Sequence, residues 1–319
     1  MKACFMSDTP DITARSWIML FALAIVWGST FMVMELALRG ITPMWLAAGR
    51  IGFAAVLAGA VWAVRGGKLF LTDARDWPAL FIATSLTTAI PFMLLCWGLE
   101  YVTSGFAGIS MAAVVLMVLP LAHFFVPGEK MTTRRTIGFV IGFAGILVLV
   151  GPGAFASSGE ALELWGRLAC LGAAACYAIS SIVVRRLPPI DPVGLTAATF
   201  ILGCIIVIPV ALITEGLPPA ADGITLFWVV LLGMLPTAAA NLLRIVIIRS
   251  AGPVFMGLVN YQVPILSIIL GAIVLNEPFP PSLKWALVLI LAGMGLSQYG
   301  ALTRLFTGAK RRSEPLPKG

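Results

Sequence analysis

The chain has 319 residues, of which 60% are hydrophobic and 11% charged, and its net charge is +7. Soluble domains carry about 25% charged residues, so this composition excludes a soluble globular protein and spends the chain on membrane spans. The five cysteines form no CxxC or metal-like spacing, which argues against a thiolate metal site.

The amino-terminal tail contains Cys4, Asp8 and Asp11, and the apolar run after it is too long for a signal h-region, so no cleavable signal is expected. Ten apolar segments follow, at 16–38, 43–64, 77–99, 104–125, 135–151, 162–184, 192–214, 225–248, 253–275 and 284–303. A helix needs roughly 20 residues to cross the hydrocarbon core. The expected fold is therefore an all-α membrane protein of ten transmembrane helices joined by short loops. Cys96, Cys170, Cys176 and Cys204 lie within these segments and read as small buried apolar groups.

The segments repeat. Shifted by about 149 residues, Trp27 falls on Tyr177, Thr30 on Ser180, Glu35 on Arg185 and Pro43 on Pro192. Further along, Glu100 falls on Arg249, Phe106 on Phe255, Gly108 on Gly257, Glu129 on Glu277 and Gly145 on Gly293. Five spans per half is an odd number, so the second half inserts upside down. Such inverted repeats suit a carrier that opens alternately to the two sides of a membrane. The expected domains are a first five-helix repeat over 1–155, a second over 156–303 and a basic cytoplasmic tail over 304–319.

With the amino terminus in the cytoplasm, sixteen of the 21 basic residues fall on that side and only Arg39, Arg167 and Lys284 opposite. This is a positive-inside bias, and it places both termini in the cytoplasm. Lys310-Arg311-Arg312 is a short headgroup anchor rather than a nucleic-acid site.

Within the spans, Gly138, Gly142, Gly145, Gly293 and Gly295 suit close helix approach. Pro91, Pro120, Pro209, Pro236 and Pro264 each remove a backbone bond. Pro91, Pro236 and Pro264 are the hinge candidates, with a static kink as the alternative. Trp17, Trp45, Trp77, Trp165, Trp228 and Trp285 fit an interfacial belt, whereas Trp27 and Trp97 lie deeper, where they are free to line a cavity.

Ionisable groups inside spans are functional suspects by default. Glu35 and Arg50 are close in depth and are expected to form a structural or gating ion pair. Glu100 and Arg249, at matching positions in the two repeats, are expected to reach water. Arg244 either attracts a substrate carboxylate or snorkels to the interface. His123, the one histidine, is a candidate proton site or a plain polar group. The neutral candidates are Asn241, the run Asn260-Tyr261-Gln262 before Pro264, Thr87 and Thr88 before Pro91, and Ser110-Met111. Together they describe a mostly apolar cavity with a few amides and hydroxyls, or, alternatively, hydrogen bonds between helices. No span carries a carboxylate near its middle, which disfavours organic cations and tight proton coupling. No zincin, P-loop or nucleophile-elbow motif is present, and no cofactor is expected.

The ten-span repeat, Trp27-Gly28 in the first span, Arg50 in the second, and Glu129 and Glu277 after the fourth and ninth resemble the drug/metabolite transporter superfamily and its EamA-type branch. That resemblance implies a cavity between the halves, lined mainly by the third, fourth, eighth and ninth spans, with the fifth and tenth peripheral. The chain is similar to bacterial exporters of aromatic and other neutral amino acids. One departure stands out: Pro264 matches Leu116, while the first half carries Pro120 one turn later, so the fourth and ninth spans should bend at different depths.

The expected function is export of neutral, aromatic or hydrophobic amino acids, or related small metabolites, by alternating access in the bacterial inner membrane. Asn241 and Gln262 are the candidates for the polar ends of such a solute, and Tyr101, Tyr177 and Tyr261 for its side chain. A proton-driven carrier of another metabolite or drug is the alternative. A lipid enzyme is a remote one, since His123 with Glu129 is its only conceivable pair. The expected partners are a small-molecule substrate and the lipid bilayer, without nucleic acid, for a monomer or weak homodimer.

Overall fold

The computed structural model describes residues 13–67, 76–126, 131–150, 162–184, 191–278 and 280–306. Cys4, Asp8, Asp11, Glu129, Arg185 and Lys310-Arg311-Arg312 lie outside the described residues, as does the side chain of Arg249. No strand occurs among the described residues.

Among the described residues, seven helical stretches are long and apolar enough to cross a membrane. Ala14–Leu38 comprises α1 (Ala14–Gly28) and α2 (Thr30–Leu38), and Pro43–Val64 is α3. Trp77–Gly98 runs through α4 (Asp76–Thr84), a π-helical turn Ser85–Ala89 and α5 (Ile90–Gly98), and Ser104–Phe125 is α6. The expected fifth span is the helix α7, Thr133–Val150. In the second half, Glu163–Val184 is α8 and Pro192–Thr214 is α9. Gly223–Ile248 runs through α10 (Gly223–Leu232), a second π-helical turn Gly233–Ala239 and most of α11 (Ala240–Met256). The last two expected spans hold α12 (Val259–Val274, 16 residues) and α13 (Pro281–Ser297, 17 residues), apolar helices shorter than the seven. A further helix, α14 (Tyr299–Phe306), follows.

Local chemistry sets the helix starts. Thr13 caps α1, Thr103 accepts from the Phe106 amide at α6, Asp191 accepts from Val193 and Gly194 at α9, and Asp222 accepts from Thr225 at α10. Such caps satisfy amides that have no partner inside the helix. Gly252 breaks α11 with φ 86°, a left-handed conformation that glycine adopts without strain, just before Pro253.

The two π-helical turns occupy positions related by the sequence shift, and both arise beside a proline. After the first, the Ile90 amide reaches back to the Ser85 carbonyl, immediately before Pro91. In the second, Pro236 offers no N–H to the Leu232 carbonyl, and the Thr237 hydroxyl donates to that carbonyl instead, at 2.7 Å. Each π turn inserts one residue and rotates the following helix by about 100°. It therefore re-aims every side chain beyond it.

Packing follows the shift as well. α3 packs on α9, α6 on α12 and α7 on α13, each helix on its own equivalent. The contacts of α6 and α5 with α8 recur as those of α12 and α11 with α1. α7 and α13 meet backbone to backbone: a Cβ on Gly293 would lie 2.5 Å from the Gly138 carbonyl oxygen and 2.5 Å from the Gly142 nitrogen. Glycine is required there because any side chain forces the helices apart.

One end of the bundle is tied by carboxylates. Glu277, just beyond α12, accepts from the Ser104 and Gly105 amides at the start of α6, at 2.8 and 3.1 Å. Glu215, just beyond α9, accepts from the Thr42 hydroxyl and from the Met44 and Trp45 amides at the start of α3. An anion at a helix N-terminus is favoured by the helix dipole. Glu100 is exposed at this end, and partial burial and Glu215 raise its carboxyl above the ordinary range. Outward-facing Val56, Ile205, Ile213, Ile273 and Trp285 form part of an exposed apolar surface that water would not support and a bilayer would.

Candidate functional site

A cavity of about 400 Å³ lies at the middle of the bundle, where the two halves meet. That is a normal size for a small-molecule site. Its lining comes largely in shift-related pairs: Trp27 with Tyr177, Thr30 with Ser180, Arg50 with Thr199, Thr88 with Thr237, Phe92 with Asn241, Leu95 with Arg244 and Met111 with Asn260. The lining reaches Val184, the last residue of α8, and Leu195 in the first turn of α9. It thus approaches the end of the bundle opposite Glu277 and Glu215.

Arg50 is the central charge. It is 5% exposed. Its Nε donates to the Thr237 hydroxyl at 2.7 Å, one terminal nitrogen lies 3.2 Å from the Met34 sulfur, and the guanidinium carbon stands 4.0 Å from the centroid of the Phe92 ring. The second π turn makes this geometry. A Cβ on Gly233 would fall 2.8 Å from the Arg50 carbonyl oxygen, so only glycine lets the turn approach α3 closely enough. Thr237, whose hydroxyl proton is committed to Leu232, then presents an oxygen lone pair to Arg50. The Phe92 ring adds a cation–π contact.

The expected Glu35–Arg50 pair does not form. Arg50 turns inward to Thr237 and Phe92, while Glu35 is half-buried and makes no ion pair with it. Equal depth along neighbouring spans fixes height but not rotation about the helix axis. Among the described residues the ion pair is local, Arg167 with Glu163 on α8.

The other candidates divide. Asn241, Asn260, Tyr177, Thr88, Met111, Thr87, Arg244, Pro236 and Pro264 line the cavity. The Asn241 amide donates to the Thr237 carbonyl at 2.6 Å, and Trp27 donates to the Pro236 carbonyl at 3.1 Å, which joins α1 to the second π turn. Gln262, Tyr261, Tyr101, Trp97, Ser110, Pro91, Glu35 and His123 are not lining residues. The Gln262 amide reaches back to the Leu258 carbonyl at 3.4 Å, and the Tyr261 hydroxyl is buried without a partner. Trp97 and Tyr101 face each other with ring centroids 5.1 Å apart, and Tyr101 packs over Gly166 at the start of α8. Ser110 is buried and donates to the Phe106 carbonyl. Pro91 is buried at the start of α5 and shapes the lining through the turn before it. His123 is exposed near the end of α6, its Nδ1 facing the Met131 amide, and it does not line the cavity.

Phe92, Thr199 and Thr237 were not singled out from the sequence. The shift itself carried the signal, because each is the equivalent of a flagged residue: Asn241, Arg50 and Thr88. No group of acidic, histidine or cysteine side chains suited to a metal ion occurs among the described residues.

The comparisons agree with this geometry. The chain is 22% identical over 283 residues to YoaV, an uncharacterized transporter of Bacillus subtilis (strain 168), covering 88% of this chain and 95% of that one. It is 27% identical over 266 residues to YedA, an uncharacterized inner membrane transporter of Escherichia coli (strain K12), covering 79% and 80%. A crystal structure superposes with a TM-score of 0.63 at 19% identity over 90% of this chain and 98% of its own, which shows a shared fold. The family model of EamA-like transporters matches twice, at residues 15–151 and 164–298, with the cavity built from both matches. The chain is thus a multi-pass membrane transporter of small molecules rather than an enzyme, and it belongs to the EamA-like transporter family.

Proposed function

We propose that the protein exports neutral, aromatic or hydrophobic amino acids, or related small metabolites, across the bacterial cytoplasmic membrane by alternating access. One observation carries this reading: a central cavity is lined by equivalent residues of both halves. A site shared in this way is reached from either side when one half rocks against the other. The ten helical segments form two inverted five-helix repeats, 1–155 and 156–303, followed by the tail 304–319. The helix-on-equivalent packing of α3 with α9, α6 with α12 and α7 with α13 supports a two-fold relation between the halves. The positive-inside bias supports cytoplasmic termini. The lining then runs toward the cytoplasmic side, and the Glu277 and Glu215 ties lie on the outer side. The π turns beside Pro91 and Pro236, with Pro264 in α12, are the hinges about which the third, eighth and ninth spans pivot.

The test is counterflow of labelled phenylalanine, methionine and threonine in proteoliposomes, with and without a pH gradient. Saturable counterflow indifferent to the gradient is expected. Accumulation driven by the gradient would replace facilitated transport with proton coupling. No counterflow of any of the three would remove amino acids from the substrate range.

A further inference from the structure

The cavity lining contains two arginines, and no acidic side chain among the described residues. Arg50 is more than nine-tenths buried, yet its partners are a hydroxyl, a thioether and a ring, all neutral. A buried cation without a counter-charge is costly, and a protein retains one where an anion arrives. Arg244 lines the same cavity with an exposed side chain and has no hydrogen-bond or ion-pair partner among the described residues. The remaining walls differ in kind: Trp27, Phe92 and Met111 offer apolar faces, while Asn241 and Asn260 offer amides.

We propose that Arg50 is the seat of a substrate carboxylate, and that the cavity selects hydrophobic organic monoanions over zwitterions of the same skeleton. The proposal rests on reading the cavity as the transport site and, within the proposed substrate range, favours the related carboxylate metabolites over the amino acids themselves. Thr237 occupies Nε, and the guanidinium keeps terminal N–H groups for an incoming carboxylate, whose charge-assisted hydrogen bonds are the strong kind. The Phe92 ring and Thr237 hold the planar group in one orientation before the ligand arrives, which lowers the ordering cost of binding. The apolar body of the ligand rests on the aromatic and methionine wall. An ammonium group in the same cavity meets two guanidinium groups and, among the described residues, no carboxylate, and like charges close together in a poorly screened site repel strongly. Amide oxygens of Asn241 and Asn260 offset that repulsion only in part.

The experiment uses the full-length protein in detergent and in proteoliposomes, with three probes that share one phenyl ring: 3-phenylpropanoate, phenylalanine and 2-phenylethylamine. The expected order is 3-phenylpropanoate bound roughly tenfold or more tighter than phenylalanine, with 2-phenylethylamine weakest. Arg50→Lys keeps the charge but loses the planar fork, and should weaken 3-phenylpropanoate by roughly tenfold. Arg244→Gln changes an exposed side chain, so it keeps the fold and should narrow the anion preference severalfold even if an Arg50 variant fails to fold. Phenylalanine bound as tightly as 3-phenylpropanoate overturns the proposal and leaves the carrier reading standing. So does 2-phenylethylamine as the tightest ligand. Failure of all three to bind or to drive counterflow overturns both.

Discussion

The third span of the first half and its equivalent in the second share a backbone device, and the third and fourth spans differ from their equivalents in side chains. Both third-type spans carry a π-helical turn beside a proline, and both face the cavity with a threonine, Thr88 and Thr237. Beyond the turns the chemistry parts: Phe92, Leu95 and Met111 on one side stand where Asn241, Arg244 and Asn260 stand on the other. On the proposed reading, the backbone device serves the motion common to both halves, while the side chains that differ between them select the ligand.

Arg50 breaks the pattern most strongly, since its equivalent is Thr199. Arg50→Met should reduce transport of a carboxylate-bearing solute by roughly 100-fold, the usual scale for losing a buried charged contact to a ligand. The unfolding temperature should hold or rise, because replacing a lone buried charge with an apolar group of similar length removes a desolvation cost. Initial counterflow rates and thermal unfolding of the same preparation check both parts.

Making the polar wall resemble the apolar one is the next largest change. Asn241→Leu should weaken binding by roughly tenfold, measured by titration of the purified protein, because an amide facing the cavity is lost. Phe92→Leu should also weaken binding, by removing the ring that orients Arg50, with an expected loss of roughly fivefold.

The α7–α13 contact sharpens the comparison from outside the cavity. Gly293→Val drives a side chain into the Gly138 and Gly142 backbone and should destabilise the protein by about 2 kcal/mol. Affinity in the protein that remains folded should change less than twofold, since neither helix contributes to the cavity lining. Smallest of all, His123→Ala should alter neither the rate nor its pH profile between pH 5 and 8. A flattened profile would return His123 to the mechanism.

Much of the fold was legible because a membrane span announces itself. The apolar runs coincide with helices, and the repeat could be read from Trp27, Pro43, Gly108 and Gly145 and their equivalents. The α7–α13 contact was foreshadowed by Gly138, Gly142, Gly145 and Gly293. The cavity was legible in part. Asn241, Asn260, Tyr177, Thr88 and Met111 stood out as polar or soft groups at mid-span, and they do line it. Depth along the spans pointed Arg50 to Glu35, but its partners Thr237 and Phe92 come from spans farther away in sequence. Gln262 was expected beside Asn260 in the cavity, but two residues along a helix is a turn of about 200°, which carries its amide back to Leu258. Trp97 reads as a deep aromatic and Tyr101 as a contact for the solute side chain, yet they sit together at the carboxylate-tied end, against α8. The π turns left no mark in hydrophobic periodicity, and they decide which side chains face inward after them.

The most direct test fills the cavity. Thr199→Trp puts a large ring into the lining, at a half-buried position away from the carboxylate ties. Counterflow of labelled 3-phenylpropanoate and phenylalanine would be compared between the wild-type protein and this variant in proteoliposomes, with thermal unfolding as the control. The account predicts saturable counterflow of at least one of the two in the wild type, and its loss in a variant that unfolds at the same temperature. Undiminished counterflow through the filled cavity would contradict it.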